Sequence, residues 1–175
     1  MLADIVKRID TGEGILEIHR AEAGDVARIA AILREAAVWL ENRNIQQWNV
    51  DRFTDEAVAE YMAGREPFIA FLGDEPAATL TLQWDDPMFW GDDGAPAVYA
   101  HRLAVRREFG GRGLGRLLLK WAGEYAITAG KSLLRLDCMA GNPGLLSYYA
   151  DQGFARKGEI AGDGWKAVLF EKPLE

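Results

Sequence analysis

The stretch HRLAVRREFGGRGLGRLLLK, residues 101–120, joins a predicted strand to a predicted helix through a loop rich in glycine and arginine. Its twenty residues include four glycines and five arginines. Glycines at a helix start let a ligand approach the backbone closely, and the unpaired amides of the first turn, at the positive end of the helix dipole, bind phosphate groups. Nearby arginines would add charge-assisted hydrogen bonds. The stretch therefore predicts a site for a phosphate-bearing ligand.

The charge of the chain is unevenly distributed. Its formal net charge is −7, yet residues 101–120 carry +5 and the remainder −12. A nucleic-acid-binding protein needs a basic face, so the acidic balance argues against that class of partner. A small polyanion bound at one place on an acidic body fits the distribution, and ordinary surface arginines at a helix start are the alternative explanation.

Length and composition favour a single domain spanning residues 1–175, because a chain of this length with 49% hydrophobic residues can bury one core. No apolar run has the length of a signal peptide or a membrane span, so we expect a cytoplasmic protein without a membrane partner. The lone cysteine, Cys138, excludes an internal disulfide, and His19 and His101 have no zinc-site spacing. We therefore expect no metal.

The hydrophobic periodicity predicts alternating strands and helices. Around the glycine-rich loop we predict a strand over 97–105, a helix over 114–129, a strand over 132–139 and a short helix over 143–153. The other predicted elements are a strand at 15–20, helices at 24–43 and 54–63, a strand hairpin at 67–84 and a terminal hairpin at 154–172. No element is predicted before residue 15, and residues 85–96 are predicted to be irregular. The order βααβββαβαββ predicts an α+β fold whose sheet is mostly antiparallel, with one parallel crossover.

Two common nucleotide-binding motifs fit the loop poorly. A P-loop requires lysine and then serine or threonine after the last glycine, but Gly115 is followed by Arg116 and Leu117. A dinucleotide-binding motif is closer, because Asp137 lies at a suitable distance downstream. Its first glycine, however, should follow the strand directly, and Arg116 occupies the position of its third glycine.

Two blocks of sequence resemble the GCN5-related N-acetyltransferase (GNAT) superfamily, which binds acetyl-CoA. Leu103-Ala104-Val105 and the loop 110–115 match the family's strand end and its R/Q-x-x-G-x-G/A motif, except that Gly110 replaces the usual arginine or glutamine. The stretch NPGLLSYYADQGF, residues 142–154, matches N-x-x-x-x-x-x-Y-x-x-x-G-F. The resemblance covers the cofactor-binding region, about residues 98–155.

The resemblance implies a mixed, mostly antiparallel sheet flanked by helices, with a parallel pair of strands that splay apart at the cofactor cleft. It implies acetyl-CoA as the cosubstrate, with the pantetheine arm along the strand and the pyrophosphate on the loop amides. The residues to which it assigns cofactor binding are Leu103, Ala104, Val105, Gly110, Gly111, Arg112, Gly113, Leu114, Gly115, Arg116 and Asn142. For Asn142, capping of the following helix is an alternative role.

Two residues are catalytic candidates by the same resemblance. Tyr149 matches the tyrosine that protonates the leaving CoA thiolate, and a phenol is a neutral donor at physiological pH. His101, two residues before Leu103 and so expected on the same strand face as Leu103 and Val105, matches a histidine that helps to deprotonate the amine in the arylalkylamine branch. Packing roles are the alternatives for both residues. Asp85, Asp86 and Asp137 are alternative bases.

The expected acceptor is a primary amine of a small molecule or peptide, acetylated by direct attack in a ternary complex. By resemblance the acceptor cleft is flanked by aromatic residues interleaved with aspartates, which would favour a cationic amine. These residues are Trp39, Trp48, Trp84, Phe89, Trp90, Asp85, Asp86, Asp92 and Asp93. A non-catalytic acyl-CoA-binding sensor is the alternative function, and the strand edges of the terminal hairpin would allow a homodimer.

Overall fold

The strands form one eight-stranded sheet in the computed structural model, which describes residues 4–175. They are β1 (Ile5–Asp10), β2 (Ile15–Arg20), β3 (Glu66–Leu72), β4 (Glu75–Gln83), β5 (Ala97–Val105), β6 (Leu133–Met139), β7 (Ala155–Gly162) and β8 (Trp165–Pro173). Their order across the sheet is β1-β2-β3-β4-β5-β6-β8-β7. Every neighbouring pair is antiparallel except β5 and β6, which are parallel.

Five α-helices connect the strands. They are α1 (Val26–Glu41), α2 (Asp55–Met62), α3 (Pro87–Trp90), α4 (Leu114–Thr128) and α5 (Pro143–Asp151). The helix starts follow ordinary capping rules, since the Thr54 side chain accepts a hydrogen bond from the Ala57 amide and Pro143 occupies the first turn of α5. Among residues 4–175, no helix is long and apolar enough to cross a membrane. The predicted α+β class, with its mostly antiparallel sheet and one parallel pair, is confirmed.

Two hydrophobic clusters hold the helices on the sheet. One contains the apolar stripe of α1, including Ile29 and Leu33, together with Val58 of α2 and Ala104 of β5. The other contains the buried face of α4, including Trp121. The spacing of the apolar residues in each helix produces one buried stripe, so α1 and α4 are both amphipathic layers on the sheet.

Two elements lie outside the predicted order. Strand β1 pairs with β2 at the edge of the sheet, and its side chains are mostly exposed, so its sequence lacks the apolar alternation that indicates a strand. Helix α3 is a single turn that begins at Pro87 within the segment predicted to be irregular. A helix of four residues is too short to produce a periodic pattern.

Strands β5 and β6 pair only at their beginnings. The register joins Ala97 to Leu133, Val98 to Leu134 and Tyr99 to Arg135, and no further pairs follow. In the last pair, the buried Arg135 side chain donates a hydrogen bond to the Tyr99 hydroxyl. It also donates hydrogen bonds to Asp93 and Glu171. Beyond this point the two strands diverge, so the sheet opens between them.

A β-bulge in β5 changes which side chains face each side of the sheet. Thr79 of β4 lies opposite Ala104 and Thr81 opposite His101, so β5 has one residue more than β4 in this interval. Arg102 has a φ of 51°, in the left-handed region. The expectation that His101 shares a face with Leu103 is therefore wrong. Leu103 packs in the cluster of α4, whereas His101 contacts carboxylates on the other face.

Candidate active site

A cleft of about 730 Å³ lies where β5 and β6 diverge. Its walls come from β5, the end of β6, the glycine-rich loop, α5, and the segment joining α1 to α2. Both predicted catalytic residues line it. The opening between the two parallel strands thus creates the space, and the loop and helices place polar groups around it.

The glycine-rich loop adopts a backbone that only glycine tolerates without strain. Gly111 and Gly113 have φ values of 77° and 76°. The first hydrogen bond of α4 runs from the Leu117 amide to the Gly113 carbonyl, at 3.1 Å. The amides that precede Leu117 in the first turn therefore have no acceptor within the helix. A Cβ added at either glycine would meet no protein atom within 4 Å. The space beside both glycines is therefore open, and both residues line the cleft.

Ten of the eleven predicted cofactor-binding residues line the cleft. They are Leu103, Ala104, Val105, Gly110, Gly111, Gly113, Leu114, Gly115, Arg116 and Asn142. Arg112 is not among the lining residues, and its guanidinium forms an ion pair of 3.3 Å with Glu13. Gly115 lies below Tyr148, because a Cβ at Gly115 would approach the Tyr148 hydroxyl to 2.6 Å. A side chain at Gly115 would therefore require Tyr148 to shift.

His101 lies between two carboxylates. Its Nε2 is 2.9 Å from Asp86 Oδ2, and its Nδ1 is 3.7 Å from Asp137 Oδ1. Because a carboxylate only accepts hydrogen bonds, the short contact places the N–H on Nε2 and leaves Nδ1 with the lone pair. Asp86 is 5% exposed and belongs to the segment after β4, so the antiparallel pairing of β4 and β5 brings it to His101. The arrangement suits a general base oriented by a carboxylate.

Asp137, the second carboxylate, is held in an unfavourable environment for its charge. Burial raises the pKa of its carboxyl to about 6, although the neighbouring His101 opposes the shift. Its buried Oδ1 has no hydrogen-bond partner within residues 4–175. The unfolded chain releases this proton near pH 3.8 and the folded chain near pH 6, so the contribution of the protonated carboxyl to stability is lost as pH rises through about 6.

We expect Asp137→Asn to remove this pH-dependent loss. The free energy of unfolding of the variant minus that of the wild type should be larger at pH 7 than at pH 4 by about 1 to 3 kcal/mol. The reason is that the amide carries no buried charge at any of these pH values. Urea unfolding at pH 4, 5, 6 and 7 measures the difference. Asp92→Asn at an exposed aspartate is the control, and a pH-independent difference for Asp137→Asn would contradict the assignment.

The same three side chains have ligand atoms suited to a metal ion. The candidate atoms of Asp86, His101 and Asp137 all lie within 4.8 Å of one another. Imidazole and carboxylate groups bind several divalent cations. The short Asp86–His101 contact and the Asp137 Oδ1 without a hydrogen-bond partner also fit a group that transfers protons.

Tyr149 lies on the other side of the cleft, in the hydrophobic cluster of α4. Its ring packs against Phe154 and Phe170, with ring centroids 5.8 Å apart in each case. Burial raises the pKa of its hydroxyl above the usual value of 10. Within residues 4–175 this hydroxyl forms no hydrogen bond, and Tyr149 is among the residues that line the cleft.

Asn142 caps α5, and its side chain accepts a hydrogen bond of 3.2 Å from the Leu145 amide. A residue that the sequence analysis missed, Gln47, joins this cap to the end of β6. Gln47 Oε1 accepts hydrogen bonds from the Met139 amide and from Asn142 Nδ2. Gln47 follows α1 in a segment without periodicity, so its sequence gives no signal of this role.

The acceptor side of the cleft differs from the expectation of an acidic surface. Trp39, Trp48 and Phe89 line the cleft, but Trp84 and Trp90 do not, and none of the aspartates at 85, 86, 92 and 93 does. Asp86 is committed to His101, and Asp93 to Arg135. The charged residues that line the cleft are, apart from Asp137, arginines: Arg52, Arg102, Arg107 and Arg116.

Comparisons with known proteins agree with this arrangement. The model of the acetyltransferase (GNAT) family matches residues 30–154. The chain is 34% identical over 159 residues to the uncharacterized N-acetyltransferase YesJ of Bacillus subtilis, covering 86% of both chains. A GNAT-family acetyltransferase from Listeria monocytogenes has a similar structure, with a TM-score of 0.76, 23% identity, and 96% and 100% of the two chains covered.

The fold also matches that of RimL, a ribosomal L7/L12 alpha-N-protein acetyltransferase solved with coenzyme A. The TM-score is 0.70 at 16% identity, over 96% of this chain and 98% of RimL. At that identity the likeness concerns the fold. The match of the family model to most of the chain, together with the 34% identity to YesJ, establishes that the chain belongs to the GNAT family of N-acetyltransferases.

Proposed function

We propose that this enzyme transfers the acetyl group of acetyl-CoA to the primary amine of a small molecule or peptide by direct attack in a ternary complex. The observation that carries the proposal is the cleft itself. The residues at the start of α4, whose amides are proposed to bind the pyrophosphate, line it, and His101, Asp137 and Tyr149 are also among its lining residues. Backbone groups of β5 beyond Tyr99, which do not pair with β6, are available to the pantetheine arm.

The base would be His101 Nδ1. An alkylamine is mostly protonated at neutral pH and cannot attack a thioester, so removal of a proton is required. Asp86 holds the Nε2–H at 2.9 Å and stabilises the imidazolium that forms when Nδ1 accepts the proton. The amine nitrogen then forms a bond to the carbonyl carbon of the thioester, and the nitrogen of the resulting tetrahedral intermediate releases its second proton to solvent. The proton leaves His101 to solvent after the transfer.

Tyr149 would act on the leaving group. As the C–S bond of the tetrahedral intermediate breaks, the electron pair remains on sulfur, the Tyr149 hydroxyl transfers its proton to the thiolate, and the phenolate regains a proton from solvent. Because burial raises the pKa of Tyr149, the hydroxyl is protonated at the start of each turnover throughout the working pH range. Its contribution is therefore greatest in the transition state, when charge develops on sulfur.

A thiol-release assay with acetyl-CoA tests the proposal. The amine panel should include polyamines, arylalkylamines, amino acids, aminoglycosides and peptides with free N-termini, and product masses should show addition of one acetyl group. EDTA should leave the rate unchanged, because the proposed chemistry uses only side chains. Tight acetyl-CoA binding without acetylation of any amine would support the acyl-CoA sensor instead.

We expect Gly113→Val to raise the dissociation constant of acetyl-CoA at least tenfold, or about 1.4 kcal/mol. The valine side chain would occupy the open space beside Gly113, where the pyrophosphate is proposed to bind. Isothermal titration measures the change.

Gly73→Val is the matched control for this variant. Gly73 has a φ of 63° and open space around it, but it lies in the turn between β3 and β4, outside the residues that line the cleft. Both variants place a branched residue in the left-handed region, which costs roughly 1–2 kcal/mol of stability. Equal acetyl-CoA affinity of the two folded variants would refute the assignment of the loop.

A further inference from the structure

Arg102 is a charged side chain in the cleft whose charge is not compensated by the protein. Its Nη1 is buried without a hydrogen-bond partner, and among residues 4–175 its guanidinium forms no ion pair. Burial lowers the pKa of this guanidinium. The side chain is half-buried, and removing a guanidinium nitrogen from solvent without an acceptor is costly, so a guanidinium in this position indicates a ligand that supplies the counter-ion.

The groups around Arg102 reinforce this conclusion. The guanidinium stacks on the Tyr61 ring, 3.4 Å from its centroid, and lies 5.2 Å from the centroid of Phe53. Arg65 stacks on Tyr61 as well, at 4.2 Å, and Arg52 lines the same cleft. The surroundings are thus aromatic and cationic, and they orient the guanidinium without neutralising it.

The two acidic groups around His101 form no ion pair with Arg102. Asp86 contacts His101 Nε2 at 2.9 Å, and Asp137 faces His101 Nδ1 at 3.7 Å. The β-bulge brings this pair next to Arg102, because at a bulge two successive side chains can face the same side of a sheet. The proposed base and the unpaired guanidinium are therefore consecutive residues, about 3.8 Å apart at Cα.

The anion is better assigned to the acceptor than to the cofactor. The loop proposed to bind the pyrophosphate follows the end of β5, whereas Arg102 contacts Phe53 and Tyr61, in and before α2. We infer that the acceptor is a small amino acid-like molecule whose carboxylate binds Arg102 while its amine faces His101. A carboxylate matches the planar donor groups of arginine. The inference rests on the proposed acetyl transfer and names the class of its substrate.

The aromatic walls favour an apolar or aromatic side chain on this amino acid. Trp48, Phe53 and Phe89 line the acceptor side of the cleft. Phenylalanine and phenylalaninamide therefore form a suitable pair of probes, because they differ in the carboxylate and share the ring and the amine. Their rates must be compared per free amine, since the two amino groups differ in pKa.

In the thiol-release assay we expect the wild type to prefer phenylalanine over phenylalaninamide by about 10- to 100-fold in kcat/KM, the range for hydrogen bonds to charged groups. Arg102→Gln should reduce the preference below threefold by loss of activity with phenylalanine. Because the variant removes an uncompensated buried charge, its melting temperature should be equal or higher. Arg65→Gln is the matched control, because Arg65 also stacks on the Tyr61 ring but does not line the cleft. This variant should retain the preference for phenylalanine.

Three outcomes would overturn the inference. Equal kcat/KM values for the acid and the amide in the wild type would do so while leaving acetyl transfer to amines intact. A tenfold loss of acetyl-CoA affinity in Arg102→Gln would assign Arg102 to the cofactor's phosphates. A marked fall in the melting temperature of both Arg102→Gln and Arg102→Asn would assign the side chain to folding. Absence of acetylation with every amine tested would instead contradict the proposed function.

Discussion

Replacing His101 with glutamine is expected to lower kcat/KM about 100-fold at pH 7, because general base catalysis contributes roughly 10²–10⁴-fold. In the wild type, kcat/KM should rise as the pH is raised across the neutral range, because only the unprotonated imidazole can act as the base. The rise should be absent in His101→Gln.

Glutamine is the better replacement because it retains polarity and approximate volume beside Asp86. His101→Ala is a second variant, and both should bind acetyl-CoA with unchanged affinity, since β5 is proposed to contribute backbone groups to the cofactor. The profile should be measured with a weakly basic arylamine, whose own ionisation lies below this pH range. If the acid limb persists unchanged in both variants, His101 is a packing residue, and Asp137 becomes the candidate base.

Tyr149→Phe is expected to lower kcat by about 100-fold or more while leaving acetyl-CoA affinity nearly unchanged, because a proton donor to the leaving thiolate acts mainly in the transition state. Phenylalanine retains the ring contacts with Phe154 and Phe170. The fold should therefore be preserved, and stability should be equal or higher because the hydroxyl has no partner within residues 4–175. Steady-state kinetics and titration with acetyl-CoA measure the two quantities.

Tyr148→Phe distinguishes between the adjacent tyrosines. The Tyr148 hydroxyl lies over Gly115, at the start of α4, whereas the Tyr149 ring packs in the hydrophobic cluster beside β8. A larger loss of kcat in Tyr148→Phe than in Tyr149→Phe would transfer the role of acid to Tyr148. Because burial raises the pKa of Tyr149, its ionisation should cause no alkaline decline in rate below pH 10.

The parts of the fold that could be predicted are those with a strong periodic pattern or a specific motif. Helices α1 and α4 each have one buried stripe, and the glycine-rich loop lies between β5 and α4 as expected. The strand β1 escaped prediction because an edge strand with exposed side chains has no apolar alternation. The family motifs indicated the loop and Tyr149 because these features are local in sequence.

The chemistry around His101 could be predicted only in part. His101, Asp86 and Asp137 were each candidates, but the sequence could not indicate that they form one cluster, because residues from three separate segments meet there. The sequence predicts that the aspartates after β4 face the acceptor. In the structure Asp86 instead contacts His101, and Asp93 forms an ion pair with Arg135. In the sequence, Arg102 is only one of the arginines of a basic stretch. Its position in the cleft cannot be predicted, because a bulge has no reliable signal in a single sequence.

The bulge in β5 has a consequence for how this enzyme can change by mutation. Between the pairs formed by Thr79 and Thr81, β4 has one residue and β5 has two, Arg102 and Leu103, so deletion of Arg102 would leave a regular strand with His101 and Leu103 on opposite faces, as they are now. Arg102 therefore lies in the bulge, whereas His101 pairs with Thr81 in the regular register of the strand. If His101 and Arg102 have the proposed roles, neighbouring codons control proton transfer and acceptor choice separately, and selectivity for the acceptor could be lost or acquired while the base is retained.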